Sequence, residues 1–214
     1  MKKFLLGFLL VVATTSGASA ADYTVEEVSV APPVELSAAI RNELRESGLR
    51  VLENGEVLCE VWFRKSLPGN GSGGDGLSRS YPDVPDMALL GAISILGDMR
   101  DNRDNEFKKG LYTIRHSLQP QDGNHVGASE YIDFAILLSA ERDTTVEGGF
   151  SDSMTMIYRS LDDGGTGHPI IFAMIPPEGE GQPSMTENSF DRWVLEAKIG
   201  NQVIAIEIVG YYEH

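Results

Sequence analysis

The residues best able to do chemistry in this chain are concentrated in one short segment. Between positions 122 and 133 the sequence carries Asp122, Asn124, His125, Glu130 and Asp133. Imidazole nitrogens and carboxylate oxygens bind transition metals or transfer protons, and carboxylate and amide oxygens bind Ca²⁺. The polar, glycine-containing composition is typical of a loop. We therefore expect any functional site to lie at this loop.

Asp122, His125 and His168 form the leading candidate for a metal site. Both histidines lie in predicted loops that adjoin strands. The separation of the histidines by forty-three positions excludes a compact local metal motif, so the three side chains would have to meet in space. The cofactor expected from this set is a divalent metal or none, and no catalytic residue is assigned.

A calcium loop is the second interpretation of the same segment. If Asp122 is the first ligand, Asn124 is the third and Asp133 the twelfth, as in the helix–loop–helix calcium motif. Val126 at the fifth position breaks the motif, and the flanking segments have strand patterns, so we exclude it. A looser oxygen cage that adds Glu130 to these ligands stays open.

Three other residues with reactive or aromatic side chains are interpreted as structural. His116 shares a strand face with Ile114, which is typical of a hydrogen-bonded histidine in the core or at its rim. Cys59 is the only cysteine, so an intramolecular disulfide is excluded and a buried thiol is expected. Trp62, between two charged residues, is predicted to form a half-exposed aromatic surface under a neighbouring loop.

The elements that would position these residues are mostly strands. Asn54-Gly55 between two apolar runs predicts a hairpin of Leu49–Glu53 and Glu56–Lys65. The candidate loop is flanked by predicted strands at Leu111–Leu118 and Asp133–Ala140. Alternating or continuous apolar residues predict further strands at Met87–Leu96, Ile170–Ile175, Arg192–Lys198 and Val203–Tyr211.

Two short amphipathic helices are predicted beside the strands. Apolar residues at three- and four-residue spacing predict a helix over Val34–Ser47 that ends at Gly48. A second helix would be capped by Asp152 or Ser153 and would end at Gly164-Gly165. Since the helices do not alternate with the strands, the pattern predicts an all-β, mainly antiparallel fold, specifically a two-sheet β-sandwich.

The N-terminal residues have the pattern of an export signal. Lys2 and Lys3 precede the apolar run Phe4–Ala13, and Ala18-Ser19-Ala20 fits a cleavage site. Residues 1–20 are therefore predicted to be a signal peptide, 21–33 an arm or edge strand, and 34–214 one domain. The apolar run is shorter than the ~20 residues of a membrane-spanning helix. We expect an extracytoplasmic mature protein, periplasmic or secreted, without stable membrane insertion.

The charge of the chain limits its partners. The net charge is −15, and removal of a signal with two lysines and no acidic residue makes it −17. Nucleic acids and anionic lipids need clustered Lys and Arg, so neither is an expected partner. An unknown protein or small-molecule ligand is expected, and the sequence leaves the oligomeric state open.

The order of the elements also resembles a family. GLRVLENGEVLCEVWFRK, GLYTIRHSLQPQDGNHVGASEYIDFAILL and GTGHPIIFAMIPP resemble segments of uncharacterised secreted bacterial β-sandwich proteins, over most of the mature chain. The resemblance implies export and a sandwich-like fold. It implies no catalytic residues.

Three functions are compatible with the sequence, and whether the protein is an enzyme is left open. The leading hypothesis is a non-enzymatic β-sandwich that binds a partner, ligand or metal through its end loops, where such folds usually carry function. The alternative is a metal-assisted hydrolase that uses Asp122, His125 and His168. A structural or assembly subunit, with an interface over the exposed side of Trp62, is the third.

Overall fold

The structure is a computed structural model, and it describes residues 21–69, 79–120, 131–147, 150–165 and 167–212. Ten strands and two helices lie in these ranges. In chain order they are β1 (Tyr23–Val28), α1 (Ala38–Glu43), β2 (Gly48–Glu53), β3 (Glu56–Phe63), β4 (Leu89–Ile95), β5 (Gly110–Leu118), β6 (Asp133–Ser139), α2 (Phe150–Gly164), β7 (Ile170–Ile175), β8 (Ser184–Glu187), β9 (Trp193–Ile199) and β10 (Gln202–Val209).

The ten strands form one sheet in which all neighbours are antiparallel. Its order is β1-β2-β3-β4-β5-β6-β7-β10-β9-β8, so most strands pair with the next strand along the chain. The edge strands β1 and β8 lie beside each other. The rings of Tyr23 and Trp193 meet at this seam with centroids 5.2 Å apart. The sheet is therefore nearly closed into a barrel.

The antiparallel order gives the barrel two ends with different contents. The Asn54 end carries the Asn54-Gly55 turn, the end of β4 and the starts of β5 and β7. Both turn residues have positive φ, 51° and 86°, as a two-residue hairpin turn requires. The His116 end carries the end of β5 and the start of β6, where Arg79 and Ser80 contact Asp133.

The barrel interior is packed with apolar side chains. Alternate residues of the strands point inward and form the main core, which Val61, Phe63, Ile114, Leu137, Phe172, Leu195 and Ile206 typify. The void among them is only about 10 Å³, about the smallest volume that holds a water molecule. The interior is therefore a core and not a ligand chamber.

Two parts of the outer barrel surface are covered by helices. Ile40 of α1 packs with Trp62 and Leu89 over β3 and β4. Met156 of α2 packs with Ile136 and Leu138 over β6. No helix of the described ranges lies over a third apolar cluster, on the outer side of β6, β7, β9 and β10: Phe134, Ala173, Ile175, Val194 and Ala205. These five residues are nevertheless buried, with at most 9% of each exposed.

The predicted fold class is confirmed at the level of a mainly antiparallel β protein with two helices. The two-sheet sandwich is not confirmed. Ala205 and Ile206 of β10 pair with Ile175 and Met174 of β7, and this pairing joins all ten strands into one sheet. Alternation along a strand predicts its two faces, but not which strand it pairs with, so the sequence did not show this connection.

The predicted strands are confirmed, with small shifts of their bounds. The first helix is shorter than predicted, because Leu44 is extended and bridges to Arg64. Gly48 does not end a helix but begins β2. Gly165, at φ 69°, follows the end of α2 as predicted. Within the described ranges, neither helix has the length and apolar character needed to cross a membrane.

Candidate functional site

Of the three predicted metal residues, only His168 lies in the part of the chain that the structure describes. Asp122 and His125 lie outside the described residues, so the three-residue site stays a prediction. His168 is exposed and lies two residues before β7, at the Asn54 end. Gln119 donates a backbone hydrogen bond to the Ile132 carbonyl oxygen at the His116 end. Ile170 pairs with Leu137, four residues or about 13 Å along the strand from Asp133.

Among the described residues, no group of three His, Cys, Asp or Glu side chains is arranged to hold a metal ion. Asp133, a member of the predicted oxygen cage, is 1% exposed and already has protein donors. It accepts hydrogen bonds from His116 Nε2 at 2.8 Å and from the Ser80 backbone N–H at 2.8 Å. Asp133 is therefore a buried acceptor at the start of β6, and the oxygen cage, whose other three members lie outside the described residues, stays a prediction.

His116 is a buried, hydrogen-bonded histidine, as predicted. Its Nδ1 lies 3.0 Å from the Pro85 carbonyl oxygen, and its Nε2 contacts the Asp133 carboxylate. A carbonyl oxygen and a carboxylate are both acceptors, so together they require a ring that donates from both nitrogens. Arg79 also contacts Asp133, at 3.4 Å. These contacts connect the residues that adjoin segments 70–78 and 121–130.

The pKa of Asp133 reflects this setting. Burial raises it, but the hydrogen bond and charge of His116, the Ser80 N–H and Arg79 outweigh burial and hold the pKa below its ordinary value. The carboxylate is therefore stabilised in its charged form by the fold. We interpret the His116–Asp133–Arg79 group as structural.

A second buried ion pair was not found from the sequence. Arg115 and Asp143 are almost fully buried, and two guanidinium nitrogens of Arg115 lie 2.6 and 2.9 Å from the two oxygens of Asp143. Arg115 also donates to the Met87 carbonyl oxygen at 2.7 Å. Arg115 lies on the face of β5 opposite Ile114 and His116, and residues 143–146 cover that face. No local signal in the sequence indicates this cover.

Trp62 and Cys59 are both buried, which confirms one prediction and corrects the other. The Trp62 side chain is 1% exposed, and its indole N–H donates to the Val30 carbonyl oxygen at 2.8 Å. The predicted half-exposed surface is wrong, because residues before α1 cover the ring. Cys59 is fully buried as predicted, and burial raises the pKa of its thiol to about 12.

A cleft lies over the part of the outer barrel surface that has no helix. Its volume is about 590 Å³, and Ile175 and Val194 form an apolar floor. Its walls come from separate segments of the chain: Tyr131, Glu178, Gly179, Ser184, Thr186, Glu187, Asn188, Ser189, Phe190 and Glu196. We call this the β7–β9 cleft. Because its residues are scattered over more than sixty positions of the sequence, no motif identifies it.

One wall of the β7–β9 cleft is held in place by Glu196. This buried carboxylate accepts hydrogen bonds from the backbone N–H groups of Glu178 at 2.7 Å and Gly179 at 2.9 Å. A Cβ at position 179 would lie 2.5 Å from Glu196 Oε2, so only glycine permits this approach. Glu196 thereby fixes the turn that carries the Glu178 side chain.

The β7–β9 cleft carries negative charge without compensation. Three carboxylates line it, Glu178, Glu187 and Glu196, while none of its described lining residues is Lys, Arg or His. Within the described ranges, Glu178 and Glu187 have no ion-pair partner. Phe190 beside them is 57% exposed.

A second groove of about 540 Å³ lies at the Asn54 end, beside Tyr23, Phe107 and Tyr211. Its charges are satisfied within the protein. Arg100 contacts Asp104 at 2.9 Å and also pairs with Glu106, and Asp98 pairs with Lys109 at 2.8 Å. A charged ligand would have to compete with these pairs. We therefore regard the β7–β9 cleft as the better candidate site.

Comparisons with protein-family models, curated proteins and solved structures give no match. The resemblance to secreted β-sandwich proteins therefore stays a prediction. The argument for function depends on the geometry and charge of the described residues.

Proposed function

We propose that this protein is a non-enzymatic, extracytoplasmic binding protein that holds its ligand in the β7–β9 cleft. The extracytoplasmic location follows from the signal-like N-terminus described above. The alternative metal-assisted hydrolase depends on Asp122 and His125, which lie outside the described residues.

The observation that carries the proposal is a cleft whose apolar floor, Ile175 and Val194, lies beside carboxylates that have no ion-pair partner among the described residues. The helices α1 and α2 close two other parts of the outer surface, and the barrel interior is filled. The cleft volume of about 590 Å³ lies within the usual range of small-molecule sites. An apolar floor with a few polar groups around it is also the usual composition of such sites.

The proposal can be tested by mapping where small probes bind. ¹⁵N-labelled protein is titrated with a mixed set of small cationic, neutral and anionic aromatic compounds, and amide shifts are followed by NMR. We expect the shifts to be concentrated at the amides of residues 184–188 and 194–196. Shifts concentrated at the groove beside Phe107, or absent from the cleft at millimolar concentration, would contradict the proposal.

A pair of variants provides the control. Thr186→Trp adds a large side chain to an exposed position of the cleft and should abolish the shifts there. Thr24→Trp makes the same exchange at an exposed position of β1, outside the cleft, and should leave them unchanged.

A further inference from the structure

We infer that the group held in the β7–β9 cleft is an organic cation, an ammonium or guanidinium such as the end of a lysine or arginine side chain. This inference rests on the proposed function and adds the chemical class of the ligand. It follows from the charge, the aromatic side chains and the shape of the cleft.

The charge of the cleft selects against anions. Glu178 and Glu187 are exposed and have no basic partner among the described residues. Arg192, two residues after the cleft residue Phe190, is 8% exposed and pairs with Glu207 at 3.5 Å. Its guanidinium carbon lies 3.7 Å from the centre of the Tyr212 ring and 5.2 Å from the centre of the Phe190 ring. Its charge is compensated inside the protein. A cation in the cleft would therefore meet carboxylates without competition from an internal ion pair.

Lys198 is the other basic residue close to the cleft, and it does not line it. It lies two residues beyond Glu196 on β9, and its aliphatic stem packs where a Cβ of Gly181 would be, 2.6 Å from that position. The charged side chains that line the cleft between the Glu178 turn and Glu187 are therefore all carboxylates.

The aromatic side chains favour an organic cation over a bare metal ion. Tyr131 and Phe190 both line the cleft, and Phe190 is 57% exposed even though the Arg192 guanidinium lies over its ring at 5.2 Å. An aromatic ring attracts a cation through its negative face, by about 0.5–1 kcal/mol at exposed sites. The apolar floor of Ile175 and Val194 offers contact to the hydrocarbon part of such a ligand, which a hydrated metal ion lacks.

Three probes that share one ring separate the possible ligand classes. Benzylammonium, benzyl alcohol and benzoate are titrated individually, and amide shifts at residues 184–188 report on the cleft. We expect benzylammonium to bind at least about tenfold more tightly than benzyl alcohol, and benzoate not to bind. Binding should also weaken at high salt, because exposed charges are screened.

Two sets of variants assign the effect to named residues. The double variant Glu178→Gln, Glu187→Gln should weaken benzylammonium binding about fivefold, since exposed charge pairs contribute modestly. The control is Glu27→Gln with Glu56→Gln, at two exposed glutamates elsewhere, and it should leave binding unchanged. Phe190→Ser should weaken it about threefold, while Tyr158→Ser, at the 60% exposed aromatic residue of α2, should not. All these positions are exposed, so the variants should fold.

The outcomes distinguish the inference from the function on which it rests. Equal binding of benzyl alcohol and benzylammonium in the cleft would overturn the inference that the ligand is a cation, but the cleft would remain a binding site. Binding of Ca²⁺ alone at residues 184–188, tighter than benzylammonium, would also overturn an organic cation. Absence of all probes from the cleft would overturn both proposals.

Discussion

The outer surface of this barrel carries charge in two different ways. Beneath residues 143–146, Arg115 and Asp143 are buried and bind each other through two short contacts. Over β7 to β9, Glu178 and Glu187 are exposed and have no ion-pair partner among the described residues. The first arrangement uses charge to fix a covering segment onto the sheet, and the second leaves charge available to a ligand.

In this chain, the number of acidic residues in a segment therefore does not indicate a ligand-binding site. Asp133, Asp143, Glu196 and Glu207 are all buried, and each has donors or a cation from the protein itself. Such groups stabilise the fold. Only carboxylates that the fold leaves uncompensated remain available to bind a ligand.

The largest expected effect is at the covered region. Arg115→Met removes one partner of a buried pair and leaves Asp143 as an uncompensated buried charge, so it should cost about 4 kcal/mol of unfolding free energy. Urea unfolding at neutral pH measures it. Arg100→Met, at an exposed pair, is the matched control and should cost less than about 1 kcal/mol. Equal losses of unfolding free energy in the two variants would show that the buried pair and the exposed pair do not differ in their contribution to stability.

Asp133 allows the same comparison to be made with pH. Because its pKa is lowered in the folded state, the stabilisation is fully present above the unfolded pKa of about 3.9 and is lost as the pH falls through the folded pKa. Asp133→Asn should cost about 2 kcal/mol at pH 7. It should also make stability fall less steeply below about pH 4 than in the unmodified protein, as measured by urea unfolding across this range. Parallel pH curves would show that Asp133 is not stabilised by the fold.

A smaller effect is expected at the turn that Glu196 holds. Gly179→Ala places a Cβ 2.5 Å from Glu196 Oε2, so the turn or the carboxylate must move. We expect a loss of about 1 kcal/mol in unfolding free energy and weaker benzylammonium binding, since the Glu178 side chain is displaced. Gly69→Ala, where a Cβ would meet nothing within 4 Å, is the control. Unchanged binding in Gly179→Ala would show that the turn does not shape the cleft.

Much of the secondary structure could be predicted from local sequence. The Asn54-Gly55 hairpin followed from two residues that tolerate positive φ, and β7 was predicted with its observed bounds because prolines and glycines flank a short apolar run. The helix over Val34–Ser47 was too long for a physical reason. Leu36, Ile40 and Leu44 do pack together, but extended residues can place side chains on the same surface as helical ones.

The site was much less accessible to sequence reasoning than the fold. Burial of Trp62 and Arg115 depends on segments that fold over the sheet from distant parts of the chain, so alternation along a strand gives no sign of it. The β7–β9 cleft is assembled from four separate segments. The sequence drew attention to residues 122–133 because polar residues are dense there, but density does not reveal which charges the fold compensates.

The central claim is that the charges of the β7–β9 cleft serve binding and not stability. The most direct test measures both quantities on one variant, Glu178→Gln with Glu187→Gln: the dissociation constant of benzylammonium and the free energy of unfolding in urea. We predict that binding weakens about fivefold, while the unfolding free energy stays within about 0.5 kcal/mol of the unmodified protein. Unchanged binding, or a loss of stability close to that of Arg115→Met, would contradict the claim.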